Sequence, residues 1–337
     1  GVGVLLWSLS AGLTALATGF AGLIFFRLLL GITESVNWPA AMRIVARALP
    51  PEERSLGNGI FTSGTSVGAL IAPALILGLA QSFGWRWGFI AVASLGAVWF
   101  LMWITFTRRR EFQPVWEPEP RNASSATAAQ VYRELLVSPR FWKVFALTIL
   151  VNPCLYFNVN WLPAYFVQAR GLQPGKELGL VLTLIYLGLD LGYLFSGAGV
   201  LLLAKRGVTL ARARILIFVV ATLTLACCSL VPFAAGIQQA VALLVLANFG
   251  AGAWIAMYLT MAQEVSHKHV STAAGLLGGS GSLAGAVAMW AVGRTTHATG
   301  SFVLPMIAVG AASLLALVAG LAIVRPASPS ARATGAA

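Results

Sequence analysis

Charge is what this sequence has least of. Only 9% of its 337 residues are charged, while 58% are hydrophobic, and a soluble domain carries about 25% charged residues. This composition excludes an ordinary water-soluble protein. The apolar runs are continuous and about as long as the roughly 20 residues that one helix needs to cross the hydrocarbon, unlike the alternating strands of a membrane barrel. The sequence therefore predicts an all-α membrane protein.

Residue types that carry chemistry are also scarce. The three cysteines, Cys154, Cys227 and Cys228, lie inside apolar runs and have neither metal-site spacing nor a disulfide framework. No nucleophile lies beside a base, no glycine-rich loop suits a phosphate, and the two histidines flanking Lys268 have no third metal ligand nearby. We therefore expect no enzyme activity, no cofactor and no metal site.

Continuous hydropathy predicts ten transmembrane helices in this chain. Their approximate bounds are 3–19, 21–48, 55–81, 86–107, 142–169, 177–204, 211–233, 238–263, 271–294 and 301–325. A long polar segment separates the fourth helix from the fifth. The chain then divides into an incomplete N-terminal half of four helices (1–107), a linker (108–141), a six-helix C-terminal half (142–325) and a tail (326–337).

The placement of Lys and Arg predicts the orientation. Seventeen of these residues fall in loops on one side and four on the other, which leaves Arg27 within the membrane. Because Lys and Arg concentrate in cytoplasmic loops, we expect both termini and the linker to be cytoplasmic. Topology then explains the net charge of +12, and the expected partner of these charges is the lipid bilayer, with no nucleic acid.

An internal repeat is visible at an offset near 216 residues, and it aligns helices two, three and four with helices eight, nine and ten. The matched pairs are Trp38 with Trp254, Ser55 with Ser271, Gly59 with Gly275, Ser66 with Ser282 and Gly84 with Gly300. Parallel duplication of this kind builds transporters from two six-helix halves. We therefore expect the chain to begin after two helices of a twelve-helix bundle.

One apolar helix carries two charges, Arg27 and Glu34. Seven residues separate them, so they point the same way about 10 Å apart along the helix axis. Charges at membrane depth are costly and usually functional. A cavity or a partner is expected behind this face.

Other polar side chains recur on helix faces. In the third helix Asn58 and Thr62 are four residues apart with Thr65 nearby, and these groups either line a cavity or bond to the turn above. In the fifth helix Asn158, Trp161 and Tyr165 share a face beside prolines, which is typical of broken helices at substrate cavities; an aromatic belt at the interface is the alternative for Tyr165. Further candidates lie in later helices: Asp190, with a functional and a structural interpretation both open, Asn248, Ser280 and Ser282.

The motifs of the N-terminal half resemble a known family. The segment from Arg27-xxx-Gly31 and Glu34 through Pro51-Glu52-Glu53-Arg54 to the run 59–68 is similar to the major facilitator superfamily, within it to the anion:cation symporters, and most to the hexuronate and sugar-acid branch. This resemblance implies a bundle of twelve helices, of which these are the third to the twelfth. It also implies proton-coupled symport of an organic anion by alternating access, by a monomer in the bacterial inner membrane.

The resemblance also implies roles for particular residues. The proton-coupling arginine and glutamate of the family fall on Arg27 and Glu34, a residue near the substrate falls on Thr65, and contacts of the seventh family helix fall on Asn158, Trp161 and Tyr165. The first family helix, which carries substrate-contacting charges, has no counterpart in this sequence. The alternative is a truncated or degenerate membrane protein that does not transport, or a transporter-like sensor.

Overall fold

A computed structural model describes residues 1–109, 127–266 and 268–324, and within them every regular element is helical. The N-terminal half contains α1 (Val2–Leu13, continued by a 3-10 turn, Thr14–Leu16), α2 (Phe20–Glu34), α3 (Asn37–Ala48), α4 (Arg54–Phe83) and α5 (Trp85–Thr107). Gly84 joins α4 to α5 with φ +91°, a left-handed conformation that only glycine adopts readily. This tight turn makes α4 and α5 neighbours.

The remaining helices form the C-terminal half. They are α6 (Ala128–Val137), α7 (Pro139–Asn160), α8 (Leu162–Gln168), α9 (Lys176–Lys205), α10 (Leu210–Ala226, continued by a 3-10 turn, Cys227–Phe233), α11 (Ile237–Gln263), α12 (Val270–Thr299) and α13 (Val303–Val324). A capping box begins α6: the Gln130 amide N–H donates to Thr127 Oγ1, and the Thr127 amide N–H donates to Gln130 Oε1. Part of the predicted linker is therefore helical. Residues 110–126 of that linker and the tail 326–337 lie outside the described residues.

Eight helical segments of the described chain are long and apolar enough to cross a membrane. They are Phe20–Ala48, Trp85–Thr107, Pro139–Asn160, Lys176–Lys205, Leu210–Phe233, Ile237–Gln263, Val270–Thr299 and Val303–Leu321, and Val2–Leu16 is a shorter apolar helix. The prediction of an all-helical membrane protein with many spans is confirmed. The count of ten helices stays a prediction.

Two of the predicted helices are interrupted in the structure, and proline explains both breaks; the prolines of the fifth predicted helix had indicated the second. Between α2 and α3 the helix is interrupted at Ser35 and Val36, shortly before Pro39. Between α7 and α8 it is interrupted at Trp161, shortly before Pro163. Proline lacks an amide N–H and its ring clashes with the carbonyl four residues earlier, so the helix must bend or restart there.

The packing of the helices repeats between the two halves. In the N-terminal half α1 packs against α2 and α5, and in the C-terminal half α10 packs against α11 and α13. These helices correspond at the offset seen in the sequence. The buried core is nevertheless concentrated in the C-terminal half, where Trp254, Phe157 and Phe218 are fully enclosed, whereas α2 has no buried residue.

The two halves meet at one end of the bundle, which we call the basic end. It is the end that holds Ala48, Arg54, Pro139, Lys205, Gln263 and Val270. There α4 packs against α9 and α11, and α3 packs against α12. A Cβ added to Gly197 of α9 would overlap the backbone of Leu56, and one added to Gly59 of α4 would overlap the Tyr193 carbonyl. Glycine therefore permits the close contact of α4 with α9.

Replacing Gly197 should weaken this contact. In Gly197→Ala the new methyl group meets backbone that cannot move aside easily, and we expect a loss of about 1–3 kcal/mol of stability, measured as a lower unfolding midpoint in detergent. Gly179→Ala is the matched control, because it lies on the same helix with nothing within 4 Å of the added Cβ. An equal midpoint for both variants would contradict the prediction.

Candidate functional site

A cavity of about 630 Å³ lies between the α7–α8 segment and α12. Its lining residues are Tyr156, Asn160, Trp161, Ala164, Ser282, Ala286 and Met289. They occupy the middle of the two helices and the part farther from the basic end. The lining combines hydroxyl, amide and indole groups with apolar surface, which is typical of sites for small solutes.

Hydrogen bonds and close packing fix the walls of this cavity. The hydroxyl oxygens of Tyr156 and Ser282 are 3.3 Å apart, and the Asn160 side-chain amide donates to the Tyr156 carbonyl at 2.8 Å. A Cβ added to Gly285 would overlap the ring of Tyr156. The glycines of α12 therefore let the tyrosine lie flat against that helix, and the break at Trp161 places its indole at the cavity.

The polar face predicted for the fifth transmembrane helix lies on α7 and α8, and the structure brings only part of it to the cavity. Trp161 lines it, but Asn158 is fully buried, and neither polar atom of its side chain has a hydrogen-bond partner among the described residues. Tyr165 is buried as well, and its hydroxyl accepts a hydrogen bond from Arg170 Nε at 2.7 Å. The restart of the helix after Trp161 separates Tyr165 from the expected face, whereas Asn158, which precedes the break, points into the packed core. Sequence spacing alone did not reveal Tyr156, Asn160 or Met289.

The predicted polar face of α4 does not line this cavity. Thr62 donates to the Asn58 carbonyl at 2.6 Å and Thr65 to the Thr62 carbonyl at 2.6 Å. These hydroxyls bond to their own helix, which was the second of the two interpretations left open. Ser280 and Ser282, the candidates on the ninth predicted helix, lie on α12 and differ from each other. Ser282 lines the cavity, while Ser280 donates to the Leu277 carbonyl at 2.8 Å.

Asn58 belongs instead to a buried polar cluster between the halves, which we call the amide seam (Ser55, Asn58, Thr260 and Gln263). The Asn58 side chain donates to Gln263 Oε1 at 3.0 Å, and the Gln263 side chain donates back to Asn58 Oδ1 at 3.1 Å. Asn58 also donates to Thr260 Oγ1 at 3.1 Å. Gln263 further donates to the Met42 carbonyl at 2.9 Å. Thr260 and Gln263 are fully buried, so the seam is enclosed by packed protein at the basic end.

An ion pair lies next to the seam. Glu264 accepts two short bonds from Arg214, at 2.7 and 2.9 Å, and a third from Arg140 at 2.9 Å. Arg214 also approaches the Pro51 carbonyl of the N-terminal half at 3.5 Å. The hydrogen bonds that Ser55, Asn58 and the Met42 carbonyl make with Thr260 and Gln263 all lie at the basic end. The halves are therefore joined at that end.

The predicted charge pair of α2 lies apart from the cavity. Arg27 and Glu34 are both exposed, and the Arg27 guanidinium stacks over the ring of Phe89 at 5.4 Å. Glu34 is the last residue of α2 and makes no hydrogen bond or ion pair with the part of the chain that the structure describes. The geometry does not join these charges to the residues of the C-terminal cavity.

The remaining candidates lie in α9 and α11. Asp190 is half-buried at the middle of α9, the helix that packs against α4. Asn248 is fully buried on α11, and its side chain donates to the Leu244 carbonyl at 2.9 Å. Neither residue lines the cavity beside Tyr156.

These features define a class of protein. Many apolar helices, two halves with corresponding packing, and a polar cavity between helices are the features of membrane transporters built from repeated halves. The family follows from comparison with known sequences. A profile of the Major Facilitator Superfamily matches residues 1–289, and the chain belongs to this family. Its members are transporters and not enzymes, and the resemblance seen in the sequence is confirmed.

Individual relatives transport small organic acids, according to their names. The chain is 26% identical over 335 residues to the hexuronate transporter of Bacillus subtilis. This alignment covers 96% of the chain and 78% of that transporter. It is 29% identical over 320 residues to a probable sulfoacetate transporter of Cupriavidus necator, with 90% and 74% covered. The branch of sugar-acid transporters suggested by the motifs is thus confirmed by similarity.

Solved structures show the same fold. The transporter FucP in an outward conformation superposes with a TM-score of 0.70 at 14% identity, over 96% of this chain and 81% of that chain. A bacterial homologue of ferroportin in an outward-facing state gives 0.65 at 18% identity, over 96% and 82%. At such low identity these structures establish the fold alone.

The amide seam gives a prediction about stability. Gln263→Leu leaves the buried Asn58 amide without its partner, which should cost about 1–3 kcal/mol. Asn58→Leu should do the same, while the double variant should lose less than the sum, because two apolar side chains then face each other. Thermal unfolding of the four proteins gives the coupling energy. Gln238→Leu, at an exposed position near the start of α11, is the control, and additive losses at 58 and 263 would contradict direct pairing.

Proposed function

We propose that this chain is a secondary active transporter that carries an organic anion, such as a hexuronate or another sugar acid, together with protons by alternating access. The observation that supports this most is an asymmetry. The hydrogen bonds between the halves gather at the basic end, whereas the cavity lies midway and beyond. A carrier closed at one end and accessible from the other is one of the two states that alternating access requires.

The charge bias gives this state a direction. In our proposal the basic end is cytoplasmic, both termini and the linker lie on that side, and the protein resides in the bacterial inner membrane. Ten of the family's helices are then present, four before the linker and six after it. With its cytoplasmic end closed, the described conformation faces outward.

The chemistry of the cavity fits a hydroxylated solute. Tyr156, Ser282 and Asn160 present hydrogen-bonding groups, and Trp161 and Met289 supply apolar surface. No Lys or Arg is among these lining residues, so the carboxylate of a sugar acid would need a positive charge from elsewhere. Arg27 is the cation that the loop count leaves at membrane depth. Because its guanidinium lies over Phe89, apart from this cavity, we assign it only the modulation of proton transfer.

Glu34 is the carboxylate we propose for proton coupling. It lies on the same apolar span as Arg27, and the family resemblance assigns coupling to these positions. In this scheme Glu34 takes up a proton while the carrier faces outward and releases it to the cytoplasm. The other substrate-site candidates remain proposals, and none of them lines the cavity beside Tyr156. They are Asp190, Asn58, Thr62, Thr65, Asn158, Tyr165, Asn248 and Ser280.

Substitution in the cavity tests the solute site. Removing one hydroxyl, in Ser282→Ala or Tyr156→Phe, should cost about 0.5–1.5 kcal/mol of binding, which corresponds to a KM roughly 2–12-fold higher for a recognised sugar acid. Uptake of a panel of sugar acids into vesicles gives KM for each variant. Ser280→Ala is the control on the same helix, because that hydroxyl bonds to its own helix. Unchanged KM in both cavity variants would exclude this cavity as the site.

Glu34→Gln tests proton coupling separately. The amide cannot carry a proton, so accumulation driven by a pH gradient should disappear while exchange of labelled for unlabelled substrate persists. Glu177→Gln is the control, because Glu177 is exposed at the start of α9. Undiminished accumulation would refute the assignment of Glu34. Absence of both uptake and exchange in the unsubstituted, correctly inserted protein would favour the alternative of a degenerate or sensory protein.

A further inference from the structure

A second cleft lies at the basic end, separate from the solute cavity. It has a volume of about 240 Å³ and lies between the last turn of α3, the first residue of α4 and the first turn of α12. The N-terminal half contributes Arg43, Arg47 and Arg54, and the C-terminal half contributes Lys268 and His269. None of these residues was part of the proposed transport site.

The described residues that line the cleft carry a net positive charge. Arg54 is held by the carbonyls of Ala46 at 2.9 Å and Leu49 at 3.2 Å, which are neutral and leave the guanidinium charge intact. Lys268 is exposed and has no ion pair within the described part of the chain. No carboxylate is among the described residues that line the cleft.

Four carboxylates lie close to the cleft in sequence or in space, and none of them lines it. Glu52 and Glu53 immediately precede Arg54 in the chain and are exposed. Glu264 is bound by Arg214 and Arg140, so it is already matched by two cations. Glu134 is largely exposed and lies 3.6 Å from His269 Nε2, and it is not among the lining residues. Arg43 and Arg47 also interact with other groups of the protein. The charge available to a ligand is therefore that of Arg54 and Lys268.

Backbone groups add to this charge. The cleft reaches the first turn of α12 at Val270, Ser271 and Thr272. The first amide N–H groups of a helix have no partner within the helix, and the positive end of the dipole of this 30-residue helix lies here. One wall is the fully buried Gln263, whose side chain is fixed by Asn58 and Met42. The side of the cleft formed by Gln263 is therefore fixed by packing and hydrogen bonds.

We propose that this basic cleft binds a phosphate-type oxyanion, supplied by an anionic phospholipid headgroup or by soluble phosphate. Guanidinium groups match the geometry of phosphate oxygens, and basic pockets between helices at the membrane surface suit lipid headgroups. The charge bias of the loops explains why cations lie on this side. It does not explain why cations from both halves converge on one enclosed cleft.

A bound oxyanion would join the two halves. Arg54 belongs to α4 and Lys268 precedes α12, so the anion bridges the halves beside the amide seam. Opening of the basic end would separate its ligands. The anion therefore stabilises the arrangement in which this end is closed, and its binding does not depend on the identity of the transported solute.

The experiment measures thermal unfolding of the purified protein in neutral detergent. Inorganic phosphate is compared with chloride at equal ionic strength, and nanodiscs of phosphatidylglycerol are compared with nanodiscs of phosphatidylcholine. We expect phosphate or phosphatidylglycerol to raise the unfolding midpoint by roughly 2–4 °C. Lys268→Gln should abolish this rise. Lys205→Gln, an exposed lysine at the same end outside the cleft, should retain it.

The pattern of results identifies the source of the anion. A rise with phosphate that Lys268→Gln removes indicates a soluble anion, and a rise confined to phosphatidylglycerol that the same variant removes indicates a lipid headgroup. No rise under either condition, or an equal rise in the variants at 268 and 205, would overturn the proposal. These outcomes are independent of transport, so failure of the proposed function would not alter them.

Discussion

The reciprocal amide bonds between Asn58 and Gln263 are the interaction on which this arrangement depends. Each amide is fully enclosed by packed helices, so separating the halves there leaves donors and acceptors that must find water. An unsatisfied buried amide costs more than its bond contributes when formed. The closed end is therefore a discrete state and not a gradual one, because partial separation leaves the bonds broken before water can enter. Beside these bonds, glycines 59 and 197 let α4 approach α9 closely.

Much of the fold follows from the sequence because the bilayer restricts the choices. Long apolar runs must become helices, since backbone groups find no partner in lipid, and the structure has them. The repeat at an offset near 216 residues also has its counterpart in matched packing. The break before Pro39 was less evident than the one before Pro163, because a proline in a membrane helix is sometimes accommodated, as Pro153 is within α7. Which outcome occurs depends on the neighbouring helices.

The site was harder to predict for a related reason. Trp161 and Ser282, both candidates from the sequence, line the cavity, but periodicity cannot say which side of a helix a distant segment will cover. Asn58 pairs with a residue 205 positions away in the sequence, and no local pattern encodes that partner. Tyr156 was not among the candidates from the sequence, because an isolated tyrosine in an apolar helix usually packs in the core. The hydroxyls of Thr62 and Thr65 looked equally suited to a cavity, yet their own backbone carbonyls were nearer.

The break at Trp161 has a mechanical consequence. Arg170, just beyond α8, donates to the carbonyls of Val231 at 2.9 Å and Ala234 at 3.0 Å, so the short helix is hinged at one end and tethered at the other. It connects the segment that follows α10 with Ala164 at the wall of the cavity. We therefore expect substitutions around Val231 to change the shape of the cavity without contacting its lining. Residues that no inspection of the lining would identify can in this way influence what the cavity accepts.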